Sequence, residues 1–282
     1  MIEMSYSQIE RKEIEFSVLI TVYCNDDPKL FAHALKSIYD NSLLPDKVLL
    51  VVDGPVPELI NDVIIKFEKM HSLFVLRLAR NLGLAKALNV GLTELTTEWV
   101  VRADADDINL SNRFEEIVKL LKEKQCLDIV GSNILEVECD GSPVAIKEVP
   151  EHEEQIRKYA VRRNPFNHMS VAFKRSKALA CGSYPDVYLR EDYALWARML
   201  QGGAKCYNIQ KVLVHATTGK DMYKRRGGLK YALAELSMQK VLIDCDLKNM
   251  SQGIFDGLVR AAIYLMPNIF RGLVYENVLR KK

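Results

Sequence analysis

The chain has 282 residues, 39 basic against 37 acidic side chains, a formal charge of +2, and a hydrophobic share of 49%. That balance excludes a disordered chain and bulk nucleic-acid affinity, and the length suits two small domains or one large α/β domain with an extension. Six scattered cysteines without a CxxC pair exclude a zinc ribbon or secreted disulfide scaffold and point to buried thiols in a reducing cytosol.

In chain order, the β-branched run at 16–23 predicts a buried strand, followed by apolar residues at 30, 31, 34, 35 and 38 at helical spacing. A second strand over 47–55 closes on Asp-Gly-Pro turn chemistry, and a helix over 57–70 leads to a strand at 74–79. A helix at 84–95 precedes a fourth strand at 98–107 that ends in acids, then a helix at 114–124 and a strand at 127–135. Strands alternating with such helices form βαβ units, so the expected fold is α/β with a mostly parallel central sheet flanked by helices. Right-handed crossovers bring the strand ends to one edge, where open α/β sheets bind ligands. Four polar clusters fall there: Tyr23 to Asp27, Asp53, Arg80 to Asn81, and Asp104 to Asp107.

After about 137 the pattern changes. A hairpin is expected around Asp140-Gly141, a helix at 153–163, a strand at 168–176, a helix at 191–203, and an extended segment at 204–217. Residues 229–282 read as helical with a break at Pro267. The charged N-terminus lacks the apolar stretch of a signal peptide, and no run of about 18 apolar residues reads as a transmembrane helix.

Two motifs carry chemistry. In Arg102-Ala103-Asp104-Ala105-Asp106-Asp107, three carboxylates within four residues repel one another unless a cation sits between them, and hard oxygen ligands suit Mg²⁺ or Mn²⁺. The bland alternative is a solvated acidic turn. In Arg190-Glu191-Asp192-Tyr193, a carboxylate opening a helix can act as a general base facing a cleft, or simply answer the helix dipole.

Together with FSVLITVYCNDDPKLFAHALKSI, KVLLVVDGP, RNLGLAKALNVGL, NPFNHMSVAFKRS and GKDMYKRRGGLKY, these motifs resemble the family 2 inverting glycosyltransferases, over about residues 14–230. The branch resembled builds bacterial capsule, exopolysaccharide and O-antigen chains. The resemblance implies a GT-A nucleotide-diphospho-sugar transferase fold with a helical C-terminal extension. It implies that Thr21, Val22 and Tyr23 cradle the nucleotide base and ribose, and that Asp53 pairs with the base. Asn81, Gly83 and Lys86 then lie beside the ribose and diphosphate. Asp104-Ala105-Asp106 matches the DxD element, with Asp106 the direct metal ligand and Asp104 acting on the ribose or through a metal-bound water. Asp192 matches the catalytic base, with Glu191 beside it.

The implied reaction moves a sugar from a UDP-sugar to a hydroxyl of a growing, lipid-linked saccharide, with Mn²⁺ or Mg²⁺. The usual double acid at the second strand is Val52-Asp53 here. Where many relatives have a metal-binding histidine after the last strand, spacing places Gly219, with Thr217 in the arginine's position and His215 offset by four. His168 is either part of the acceptor wall or a satisfied core histidine. Lys224, Arg225 and Arg226 form a basic loop that could close on a phosphate.

The implied division is a catalytic domain at 1–228, with a donor half at 14–107 and an acceptor half at 108–228, and an extension at 229–282. In that tail apolar residues recur three and four apart among Arg260, Arg271, Arg280, Lys281 and Lys282, which suits an interfacial helix pair on an anionic membrane, a helix packed on the catalytic domain, or a dimer contact. The expected location is cytoplasmic, with peripheral membrane contact through the tail; homo-oligomerisation stays open. Rival readings are a sugar nucleotidyltransferase, which should carry a glycine-rich first loop that TVYCNDD lacks, and a non-catalytic nucleotide-sugar-binding protein.

Overall fold

Alternate residues of the first strands leave on opposite faces, and this sets the layering. In the computed structural model, which describes residues 14–218 and 227–266, β1 (Phe16–Val22), β2 (Lys47–Val52), β3 (Leu73–Arg77) and β4 (Trp99–Ala103) run parallel in the order β3-β2-β1-β4. Val18, Ile20, Leu50 and Val52 enter one core with Phe31 and Leu35 of α1 (Pro28–Tyr39) and Ile60 and Ile64 of α2 (Glu58–Met70). Leu19, Leu49 and Val51 enter the other, with Ala87 and Leu88 of α3 (Leu84–Glu94). Helix α4 (Arg113–Glu123) adds Phe114 and Ile117 to the first core, while α5 (Glu153–Ala160), α6 (Arg175–Ala180) and α7 (Glu191–Gln201) close the second around Ile156, Ala178 and Trp196.

Past β4 the sheet changes direction. Strand β8 (Ala172–Lys174) is antiparallel to both β4 and β6 (Ile129–Val137), and β6 is parallel to β9 (Cys206–Thr217). Strand β7 (Pro143–Lys147) forms the expected hairpin on β6, and β5 (Ile108–Asn109) pairs with the far side of β9. The expected strand over 168–176 begins as a 3₁₀ turn at His168–Ser170, and the two-residue β5 and the six-residue α6 are too short to give a periodic signal.

The register brings the ends of the parallel strands to within two residues of one another: Val22 lies opposite Val52, Val52 opposite Arg77, and Ile20 opposite Ala103. Each following turn therefore opens on the same edge. Asp27 caps α1 there, accepting hydrogen bonds from the backbone N–H groups of Lys29 and Leu30 at 2.8 and 3.1 Å, with Pro28 in the first helical position.

The described part of the extension forms two helices, α8 (Leu229–Asp244) and α9 (Met250–Leu265), joined by a turn in which Asp246 has φ +55°, a break the sequence reading placed only at Pro267. Met238 and Leu242 of α8 pack on Tyr193, Ala194 and Ala197 of α7. Helix α9 presents small residues inward: a Cβ on Gly253 would lie 2.5 Å from Ile243 Cδ1, and one on Gly257 3.2 Å from Leu236 Cδ2. Its large side chains point outward, Phe255 being 68% and Leu258 62% exposed, beside exposed Ile254, Val259 and Leu265. Among the described residues no helix is long and apolar enough to cross a membrane. The Pro267 break, the Lys224 to Arg226 loop, Gly219 and the charges at 271 and 280–282 lie outside the described residues.

Candidate active site

The turns after β1, β2, β3 and β4 enclose a cavity of about 330 Å³. Thr21, Val22, Tyr23, Asp53, Asn81, Gly83, Asp104 and Ala105 line it, eight residues singled out from the sequence, together with Asp26, Leu84, Ala87 and Arg102. Lys86 is displaced from that lining and pairs with Asp186 at 3.1 Å on the surface.

Asp53 organises one wall. Its carboxylate accepts the backbone N–H of Leu82 at 2.7 Å and of Gly83 at 2.9 Å, while the Asn81 side-chain amide donates to the Asp53 carbonyl at 3.2 Å. The turn after β2 thus holds the loop before α3 by backbone groups. Gly54 makes the approach possible: its φ is +88°, and a Cβ there would lie 2.5 Å from the Asn81 nitrogen.

The acidic corner is built over two buried guanidinium groups. Arg102 pairs with Asp104 at 2.6 Å and donates to the Leu19 carbonyl at 3.3 Å. Arg113, fully buried, donates to the Arg102 carbonyl at 2.8 Å and to Asn109 Oδ1. Burial pulls its pKa down to about 9 although Asp104 and Asp107 favour the cation. Carboxylate oxygens of Asp104, Asp106 and Asp107 come within 4.8 Å of one another. Desolvation first, then Asp104 and Asp26, raises the Asp106 carboxyl to about 7; burial, Asp104 and Asp106 push Asp107 well above its usual range. Asp26 is raised to about 6, by burial ahead of Asp104. Asp107 accepts the Thr217 N–H at 2.8 Å through Oδ1, while its Oδ2 is buried without a partner. Crowded carboxylates with an unpartnered buried oxygen fit a hard divalent cation. His215 stands outside this cluster, opposite Ile108 in the β5–β9 pairing; Thr217, whose hydroxyl donates to the Asp106 carbonyl at 2.5 Å, is the β9 residue that touches the acidic turn.

Asp192 sits in the first turn of α7, where Oδ2 accepts the Asn164 side-chain amide at 2.6 Å and Oδ1 accepts the Tyr193 N–H at 2.7 Å. Glu191 is buried, and desolvation followed by the neighbouring Asp192 raises it to about 7; Asp104 and Arg102 also act on it, so the two acidic motifs share one electrostatic environment. His168 is satisfied, its Nε2 3.1 Å from the Tyr184 hydroxyl and its ring edge-on to Trp196, which favours the core-histidine reading. Sequence reasoning gave no role to Asn164, counted Asp107 only as one of three carboxylates around a cation, and counted Asp26 only within the Tyr23 to Asp27 cluster. Asp107 lay in the acidic run and Asn164 in the NPFNH block, so composition marked the segments but not the partners.

Residues 17–180 match the family described as Glycosyl transferase family 2. The UDP-Gal:alpha-D-GlcNAc-diphosphoundecaprenol beta-1,3-galactosyltransferase of Escherichia coli is 39% identical over 268 residues, 95% of this chain and 97% of that one. The amylovoran biosynthesis glycosyltransferase AmsE of Erwinia amylovora is 33% identical over 262 residues, covering 93% and 98%. In fold, the chain is similar to S. aureus TarS 1-349 in complex with UDP-GlcNAc, with a TM-score of 0.64 at 17% identity over 95% of this chain and 76% of that one.

Proposed function

The chain belongs to glycosyl transferase family 2 and is a glycosyltransferase; from that premise we propose that it is an inverting enzyme of bacterial cell-surface polysaccharide synthesis, moving a sugar from a UDP-sugar to a hydroxyl of a lipid-linked saccharide. The observation that carries this reading is the strand-edge cavity, with Asp53 and Asn81 on one wall and in its lining Asp104, whose carboxylate clusters with those of Asp106 and Asp107. The near full-length relative whose name gives UDP-Gal and a GlcNAc-diphosphoundecaprenol acceptor supports the donor and acceptor classes.

In this mechanism Thr21, Val22, Tyr23 and Asp53 receive the base and ribose, with Asn81 and Gly83 beside the ribose and diphosphate. Asp192 takes the acceptor hydroxyl's proton as that oxygen bonds to the anomeric carbon, and the bond from that carbon to the donor phosphate oxygen breaks. Its electron pair leaves with the nucleoside diphosphate, and attack opposite the leaving group inverts configuration. Asn164 and the Tyr193 N–H fix the orientation of Asp192. Asp106 and Asp104, with Asp107, would hold the divalent ion, which when bound supplies positive charge against the diphosphate.

The 1–228 and 229–282 division, with donor and acceptor halves in the first part, belongs to the same reading. So does a cytoplasmic location with peripheral membrane contact, supported by the apolar outer face of α9 and the basic residues of the tail sequence. The deciding experiment offers UDP-, GDP- and dTDP-sugars with Mn²⁺ and a GlcNAc-diphospho-lipid, and reads the product's anomeric configuration by NMR. Transfer from a UDP-sugar with inversion is expected; retention, or no donor consumed, overturns the reading. Co-sedimentation of the full chain with anionic vesicles, lost on deletion of 253–282, is expected for the membrane contact; full recovery in the supernatant removes it.

A further inference from the structure

Three polar side chains of the extension converge on the start of α7. Glu235 of α8 is 1% exposed, and its Oε2 lies 2.9 Å from Arg190, the residue that precedes Glu191 and Asp192. Its Oε1 accepts the Gln239 amide at 2.8 Å and lies 3.4 Å from Arg260 of α9. The same Arg190 nitrogen donates to the Tyr264 hydroxyl at 2.7 Å. Arg260 also donates at 2.6 Å to the carbonyl of Arg162, two residues before Asn164, the side chain that holds Asp192 at 2.6 Å. Glu235 therefore reaches Asp192 along two routes, through Arg190 on its own helix and through Arg260 and the 162–164 segment facing it.

Stability alone does not account for this arrangement. Apolar packing of Met238, Leu242 and Cys245 on Tyr193, Ala194 and Ala197 already joins α8 to α7. In this triad Glu235 is buried between two half-buried arginines, and burying such a charge adds little net stability over an apolar side chain of the same volume, because desolvation offsets the attraction. The triad's distinctive property is direction, since paired guanidinium–carboxylate contacts fix geometry. Desolvation opposes the Arg190 cation, but Tyr264, Glu235 and Asp192 outweigh it and hold its pKa above the usual value, so Arg190 feels the charge of Asp192 as well as that of Glu235.

The geometry points to Glu235 as a positioning residue for Asp192, with the α8–α9 hairpin serving as a structural part of the active site. This rests on the reading of Asp192 as the general base. Glu235 touches no substrate; it sets the angle of the first turn of α7 and the distance of Asn164 from the carboxylate. Displacement of a catalytic group by about 1 Å can cost as much as about a hundredfold in rate.

The test uses the full chain, with UDP for binding and UDP-galactose with a GlcNAc-diphospho-lipid for turnover. Glu235→Gln, Arg260→Lys and Asp192→Asn are made singly, and the first two are each combined with the third. Positioning predicts that Glu235→Gln lowers kcat between about tenfold and a hundredfold while UDP affinity is unchanged. Arg260→Lys keeps a cation beside Glu235 but loses the forked geometry, and is expected to lower kcat by about threefold to tenfold. In the Asp192→Asn background each then changes residual turnover by less than about twofold, because the group being positioned is gone. A purely structural role gives equal losses in both backgrounds and overturns the proposal, as does an unchanged kcat in folded Glu235→Gln. Should Glu235→Gln fail to fold, the Arg260→Lys pair of comparisons decides by the same criteria. Full turnover in Asp192→Asn removes the base assignment and this proposal with it; an inactive Asp192→Asn beside a fully active Glu235→Gln removes the proposal alone.

Discussion

At the strand-edge cavity, wall position comes from backbone: four parallel strand ends opening on one edge, a left-handed glycine, and two backbone N–H groups held by Asp53. Around Asp192 it comes from side chains meeting across the chain, Asn164 from a loop 28 residues earlier and Arg190 tied to a glutamate 45 residues later. A wall made of backbone tolerates changes in the side chains that line it but not changes in chain path. A carboxylate aimed by other side chains is the reverse, tolerant of chain path and sensitive to single polar atoms.

The sharpest way to break that contrast is Asp192→Asn. Transfer should fall by about 10²–10⁴-fold with UDP affinity intact, measured by steady-state kinetics and calorimetry. A loss of UDP binding instead would mean that the two regions are not separable. Next in size is the acidic corner. Chelation with EDTA, or Asp106→Asn, should lower transfer by about a hundredfold, and the Mn²⁺-induced rise in melting temperature should disappear in the variant. A variant that keeps the Mn²⁺ shift would remove Asp106 from the ligand set.

Gly54→Ala tests the backbone-built side. The added methyl meets the Asn81 nitrogen and the φ of +88° is strained, so a stability loss of about 1–3 kcal/mol in urea unfolding and weaker UDP binding are expected. An unchanged UDP affinity would show that the Asp53–Asn81 junction does not shape a UDP site.

The smallest effect concerns Glu191. Its folded pKa is raised from 4.5 to about 7, so the folded state holds a proton that the unfolded state has released between those values. Stability must therefore fall as pH rises through that window, by the linkage relation. Thermal melts should show wild type losing ground against Glu191→Gln from about pH 4.5 to about 7, and running parallel above. Parallel curves throughout would place Glu191 in water.

The same contrast explains what the sequence disclosed. Strands β1 to β4, helices α1 to α4 and eight cavity residues were legible because period and turn chemistry are local, and parallel βαβ topology then forces the turns together. Lys86 was misplaced relative to the lining because its neighbour Asp186 lies a hundred positions along the chain, beyond any local pattern. The roles of Asn164 and Glu235 depend on which atoms meet in three dimensions. Nothing in the local sequence singles out Glu235; its burial at 1% exposure between Arg190 and Arg260 appears only in three dimensions.

Helix α9 carries a consequence for how the molecule comes apart. With glycines facing α8 and large apolar side chains facing out, its attachment gains little from hydrophobic burial and depends on close backbone approach and a few charge pairs. Segments with that contact economy open locally at free energies well below global unfolding. The α9 amides should thus exchange with solvent before those of β1 and β2. In rising denaturant, the extension would fray while the sheet still stood, leaving a molecule that retains its strand-edge cavity after the far end of the hairpin has let go.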